Sequence, residues 1–365
     1  MRKVPFLAFL TAILLTLTAT PARAEPAPYP NIEFPNFDLV KPGGQTVELR
    51  TSSRKLQVSY TYDGRTRTLE NFLSSSSTQG FVVLDGQTQE LLVERYHLAD
   101  RNTRFQSWSM AKSFTSAAIG IAIGEGHIRS VDDPVTKYIP ELAGSGYAGV
   151  SLRHLLWMSS GVTWDETLDV PGVHVGASIG VPLPRMAAQR VRGWEPGTRF
   201  NYTSMNSFVL AWAVTKATGV PYERYVERKL WQPAGMGSAA YLGNDSKGNS
   251  MGYCCYYATA RDFARFGLLY LNGGQALGRQ VVPRSWVEAS TRPSAPSPGY
   301  GLHWWLGEDG EFMAQGFLGQ TIYVSPRHKV VIVKSTLITT GDAGETMPAF
   351  RATAAEVART RAAAR

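Results

Sequence analysis

The chain has 365 residues, 44% of them apolar and 18% charged, the balance of a folded globule rather than a disordered chain. Its 35 Gly and 21 Pro follow no period, and two cysteines are too few for a disulfide scaffold or a Cys-rich metal protein. The formal charge is +8; without Arg2, Lys3 and Arg23, 34 basic residues face 29 acidic ones, a mild net of +5 without like-charge runs, which argues against nucleic-acid binding.

Arg2 and Lys3 precede an apolar run over 4–17, and Ala22-Arg23-Ala24 supplies the small-x-small pattern of a cleavage point. Residues 1–24 therefore read as an export signal, with Glu25 as the new N-terminus and a periplasmic or extracellular destination. The run is shorter than a membrane-spanning helix needs, so no membrane anchor is expected after cleavage. Residues 25–77 read as a Pro-rich extended arm and first strands. Stretches 81–84 and 91–96 flank Asp85-Gly86, a hairpin signal. A helix is expected over 109–123, rich in small and apolar residues and ended by Gly124 and Gly126. Further helices are expected at 153–158, 184–192, 205–218, 222–230 and 260–271. The strand pattern returns at 302–306, 312–314, 321–324 and 330–334, before a closing helix at 348–365. This order predicts an α+β fold: an antiparallel sheet built from both chain ends, flanking helices, and a mostly helical insert at about 130–250, within one domain over 78–365.

Ser109-Met110-Ala111-Lys112 places a lysine one helical turn after a serine, on the same face. A serine needs a neighbouring base to become a nucleophile, and a buried lysine has the depressed pKa to be one. Ser52-Ser53-Arg54-Lys55 has the same spacing but lies in a polar, strand-like stretch, which makes it a coincidence. Gly176-Ala177-Ser178-Ile179-Gly180 is a literal G-x-S-x-G. That motif needs a strand before it and a helix after it, whereas Pro171, Gly172, Pro182 and Pro184 crowd it into a Gly-rich loop. None of the six histidines has metal-ligand spacing, and no phosphate or dinucleotide loop occurs, so neither metal nor cofactor is expected. His154 reads as structural, and His303, beside Trp304 and Trp305, as a cleft candidate. Tyr202, just ahead of a helix, suits a second acid/base. Cys254 and Cys255 are adjacent. A bond between them is geometrically demanding although export permits it, so a vicinal disulfide and two buried thiols both stay open.

With Ser109-x-x-Lys112, Tyr202-Thr203-Ser204 and 314–320 (AQGFLGQ) together, the chain resembles the serine β-lactamase-fold hydrolases from about residue 78 to its end. That family includes class C β-lactamases, DD-peptidases, family VIII esterases and 6-aminohexanoate-dimer hydrolase, the last being the nearest branch. Val131-Asp132-Asp133-Pro134, 152–162 and 258–267 add to the likeness. Tyr202-Thr203-Ser204 stands at the family's Tyr-x-Asn, with Ser204 replacing the asparagine. The stretch from Ala314 stands where Lys-Thr-Gly is expected, with neutral Gln315 read in place of its cation. The resemblance implies a Ser109 acyl-enzyme, proton transfer by Lys112 and Tyr202, and an oxyanion site from the N–H groups of Ser109 and Phe317. It places Ser204, Gln315, Gly316, Trp164, His303 and Trp304 against a small ester or amide substrate, with Trp305 and Phe317 adding aromatic surface. The departures favour an uncharged substrate. The rival expectation is a penicillin-interacting protein or a non-catalytic cell-wall module on the same fold.

Overall fold

A computed structural model describes residues 36–336 and 341–363. The expected export signal lies outside them. A seven-stranded sheet occupies the centre, in the order Trp305–Leu306, Phe312–Gly316, Gln320–Ser325, Val330–Thr336, Thr78–Asp85, Glu90–Tyr96 and Arg50–Thr51. All neighbours are antiparallel except the last pair. Val330 stands opposite Asp85 and Lys334 opposite Phe81, so strands from the two chain ends meet in mid-sheet and the fold is α+β. Strand alternation sends Val82, Leu84, Val331 and Val333 to one face and Phe81, Val83, Val330 and Ile332 to the other. Both faces are apolar because both are covered. Helices Ala111–Gly124 and Ala260–Leu271 pack on the inner face, and Leu69–Ser75 and Thr346–Ala363 on the outer.

Helix Ala111–Gly124 is buried on all sides from Ala111 to Ala122, which requires small residues along it. A Cβ at Gly120 would stand 2.3 Å from the Trp286 ring. A 3-10 turn, Trp108–Met110, precedes the regular helix, so Ser109 lies in the turn rather than in the helix expected from residue 109. Helix Ala260–Leu271 has the expected limits because Thr259 caps it, its hydroxyl accepting from the Asp262 N–H.

Between the central strands run helices Leu152–Leu156, Glu166–Ser178, Leu183–Ala188, Ser204–Thr218 and Tyr222–Val226. A second, four-stranded sheet joins Phe37–Val40, Ala240–Gly243, Tyr256–Thr259 and Arg104–Gln106. Helix Glu166–Ser178 replaces the Gly-rich loop expected there. Asp165 caps it by accepting from the N–H groups of Thr167 and Leu168, and Val173 and Ala177 bury its inner side. Ser178 is the exposed last residue of this helix, donating to the His174 carbonyl at 2.9 Å. It follows a helix and not a strand, which is the wrong geometry for a nucleophile elbow.

Candidate active site

Ser109 sits in the turn that opens the buried helix. Trp108 before it has φ of +46°, a conformation that side chains rarely adopt. Such residues cost about 1–3 kcal/mol and persist where their surroundings over-determine the backbone. On one side the Ser107 N–H donates to the Tyr256 carbonyl at 2.7 Å, and the Tyr256 N–H donates to Ser107 Oγ at 3.0 Å. On the other, strand Phe312–Gly316 comes so close that a Cβ on Gly316 would lie 2.4 Å from the Ser107 carbonyl oxygen. Only glycine permits that approach. It brings Phe317 edge to face against Trp108, ring centroids 5.5 Å apart.

Lys112 is 1% exposed. Its Nζ donates to Ser109 Oγ at 2.9 Å, to Ser204 Oγ at 2.9 Å and to the Tyr253 carbonyl at 3.1 Å. Burial lowers its pKa from 10.5 to about 8, against an upward pull from the nearby Glu166 carboxylate. Ser204 Oγ in turn donates to Glu166 Oε1, and the Ser204 N–H donates to Glu166 Oε2 at 3.0 Å. The consequence follows from donor counting. A neutral amine has two N–H bonds and one lone pair. The Tyr253 carbonyl can only accept, and Ser204, whose proton goes to Glu166, accepts as well. Both N–H bonds are then committed, and the lone pair is left for the Ser109 proton. Tyr202 closes the third side. Its ring centroid lies 4.9 Å from Lys112 Nζ, and burial, partly offset by the Ser109 hydroxyl, holds the phenol well above its usual range, so it stays protonated at neutral pH.

The residues singled out in the sequence divide. Ser109, Lys112, Tyr202 and Ser204 come together, with Gly316 and Phe317 alongside. Trp164 stands behind them: it is buried, and its indole N–H donates to Glu166 Oε2 at 2.6 Å. His303 and Trp304 line no cleft. His303 is buried between Ser207 Oγ at 2.9 Å and the Leu156 carbonyl at 3.0 Å. Trp304 is buried against Tyr270 and Phe312. Successive strand residues face opposite ways, so Trp305 is the tryptophan that reaches the site, stacked on Tyr202 at 5.6 Å. The same alternation separates Gln315 from Ala314 and puts Gln315 on the side of Trp305. Phe312 and Ala314 face the buried helix, whereas Gln315 shares the outer side with Met313, donating to its Sδ at 3.1 Å and lining a cleft with Trp305 and Arg351. The uncharged position facing the helix is therefore Ala314. Arg192 and Arg199 are engaged elsewhere, the first on the carbonyls of Gly146 and Ala148, the second over the Trp194 ring.

Glu166 is the member of this cluster that the sequence reading missed. Its signal was Asp165, a capping residue followed by an acid in the first helical turn. Cys254 and Cys255 are joined as a disulfide. Among the described residues, no His, Cys, Asp and Glu cluster could hold a metal ion, and no helix is long and apolar enough to cross a membrane.

A family model described as Beta-lactamase matches residues 65–356, and the chain belongs to that family. Over 293 residues it is 31% identical to the 6-aminohexanoate-dimer hydrolase of Paenarthrobacter ureafaciens, covering 73% of this chain and 74% of that one. A solved structure from Bacillus anthracis, provisionally assigned as a 6-aminohexanoate-dimer hydrolase, superposes with a TM-score of 0.79 at 25% identity, over 90% of this chain and 92% of its own. A family VIII carboxylesterase shares the fold, with a TM-score of 0.62 at 14% identity over 79% and 95% of the two chains. The fold is that of the β-lactamases and DD-peptidases, and the protein is a hydrolase of that fold.

Proposed function

We propose that the protein is an exported serine hydrolase that cleaves small, uncharged esters or amides through an acyl-enzyme on Ser109. The observation that carries this reading is Lys112 Nζ, 2.9 Å from Ser109 Oγ and held by Ser204 and the Tyr253 carbonyl, so that in the neutral amine the lone pair is free for the Ser109 proton. Ser109 Oγ bonds to the substrate carbonyl carbon as Lys112 takes its proton. The N–H groups of Ser109 and Phe317 hold the oxyanion, a role worth about 3–4 kcal/mol per donor in other acyl-transfer enzymes. Collapse breaks the bond to the leaving group, which receives the proton through the Tyr202 hydroxyl. Water then enters, gives a proton to the same pair, and releases the acid and Ser109.

The uncharged Ala314 on the strand beside the nucleophile supports a neutral substrate. An anionic one would lack a charge-assisted hydrogen bond of about 1.5–3 kcal/mol. Trp305, Tyr202, Trp108 and Phe317, the last 53% exposed, supply apolar surface for an acyl chain. The disulfide supports export, since such bonds persist in oxidising compartments. A fluorophosphonate probe and a panel of p-nitrophenyl esters, nitrocefin, D-amino-acid amides and 6-aminohexanoate dimer test the reading. Ser109 should be the labelled serine, with short esters cleaved readily and nitrocefin slowly. Efficient nitrocefin turnover with weak esterase activity would make the protein a β-lactamase. Absence of labelling would make it a binding module.

A further inference from the structure

We infer that the Cys254–Cys255 disulfide is a positioning pair for Lys112 and the Ser109 turn, so that opening it suppresses acylation while the fold stays intact. The inference rests on the acyl-enzyme reading above. The four residues 253–256 carry three backbone groups that hold the site. The Tyr253 carbonyl accepts from Lys112 Nζ at 3.1 Å, the Tyr256 carbonyl accepts from the Ser107 N–H at 2.7 Å, and the Tyr256 N–H donates to Ser107 Oγ at 3.0 Å. The two cysteines lie between these groups and set their spacing. Just upstream, the Gly252 carbonyl accepts from Thr115 Oγ1 at 2.6 Å, on the same helix as Lys112.

Cys255 has φ of +80°, a region that residues with a Cβ avoid. The bond ties its side chain to that of the preceding residue and so restricts how far the backbone between them can turn. Two free thiols lack that tie, and φ of Cys255 can return to its ordinary negative range. The peptide bearing the Tyr256 N–H adjoins this torsion, and the one bearing the Tyr253 carbonyl is one residue away. Relaxation therefore moves the acceptor of Lys112 relative to the anchors of Ser107. Both cysteines are buried, and Cys254 Sγ lies 4.0 Å from His174 Nε2 and 3.7 Å from Met251 Sδ. Only a small reductant can reach them. With a dithiol, a thiolate attacks one cysteine sulfur and the S–S bond breaks to a mixed disulfide. The second thiol then attacks the reagent's own sulfur in that mixed disulfide and displaces the same cysteine, so the pair gains two electrons and two protons and the reagent leaves as a cyclic disulfide.

The test compares the untreated enzyme with enzyme treated with dithiothreitol until its mass has risen by two hydrogens. The fluorophosphonate labelling rate at Ser109, kcat and KM on a short p-nitrophenyl ester, and the thermal melt are measured on both. Labelling rate and kcat should fall about ten- to a hundredfold, as expected for a catalytic group displaced by about an ångström. KM should stay within about twofold, because the substrate surface is untouched. The melt should remain cooperative, and reoxidation should restore the rate. A Cys254→Ser/Cys255→Ser double variant should start at the reduced level and ignore the dithiol. An unchanged labelling rate after reduction overturns the inference. So does loss of the cooperative melt, which would make the bond a staple of the whole fold, and so do free thiols in the untreated protein. If the untreated enzyme takes no probe at all, the acyl-enzyme reading has failed instead.

Discussion

Two lysines are sunk into this molecule on opposite sides of one sheet. Lys112 lies under the inner face at 1% exposure, and Lys334 on the outer face at 2%. Burial draws both from 10.5 to about 8. Their neighbours differ. Lys112 has two serine hydroxyls, a carbonyl and a nearby carboxylate, whereas Lys334 has its ammonium 5.8 Å from the centroid of the Phe72 ring. A depressed pKa is thus a property of depth. A base is made by what stands within reach of its lone pair.

The comparison can be broken by mutation. Ser109→Ala should lower kcat/KM by about 10⁴-fold or more and abolish probe labelling, while Ser178→Ala stays within about twofold. Next in size, Lys112→Ala should cost about 10³-fold in acylation rate, whereas Lys334→Met leaves it nearly unchanged; equal losses would erase the distinction. Tyr202→Phe should lower kcat by about 10²-fold. A near wild-type kcat there would reduce Tyr202 to a packing residue under Trp305.

Smaller effects sharpen the contrast. Glu166→Gln removes the charge that pulls the Lys112 pKa upward, so the acid limb of kcat/KM should move to lower pH. A limb that stays in place would detach Glu166 from the lysine. In the unfolded chain both lysines hold their protons up to about 10.5, and in the folded protein only up to about 8. Between those values the unfolded state binds more protons, so stability rises with pH across the window. Lys334→Met removes one of the two contributions. Urea melts across that range should show a shallower rise, and at neutral pH the variant should be more stable by about 1 kcal/mol.

Much of this was legible in the sequence because local signals agreed with the final packing. Thr259 caps its helix within a few residues, and Ser109 and Lys112 share a face by spacing alone. Trp304 and Trp305 show where reading failed. Both belong to an aromatic run, and nothing local fixes which of two neighbours points inward until the strand finds its partner at Met313 and Phe312. The strand Ala240–Gly243 went unread because its partners, Phe37–Val40 and Tyr256–Thr259, are distant in sequence or across a turn. Helix Glu166–Ser178 was hidden by Pro171 and Gly172, whose breaking tendency is outweighed here by a cap and two buried side chains.

The pairing of Val330–Thr336 with Thr78–Asp85 has a bearing on how the chain is made. These strands are separated by most of the polypeptide, so the sheet has a high contact order and closes late. Until the last third of the chain has been synthesised, Thr78–Asp85 has an unpaired edge of Phe81, Val82, Val83 and Leu84, a hazard for aggregation. The approach of Gly316 to Ser107 depends on the same closure. A nascent chain that already carries Ser109, Lys112 and Tyr202 is therefore expected to lack hydrolytic power until its C-terminal strands arrive.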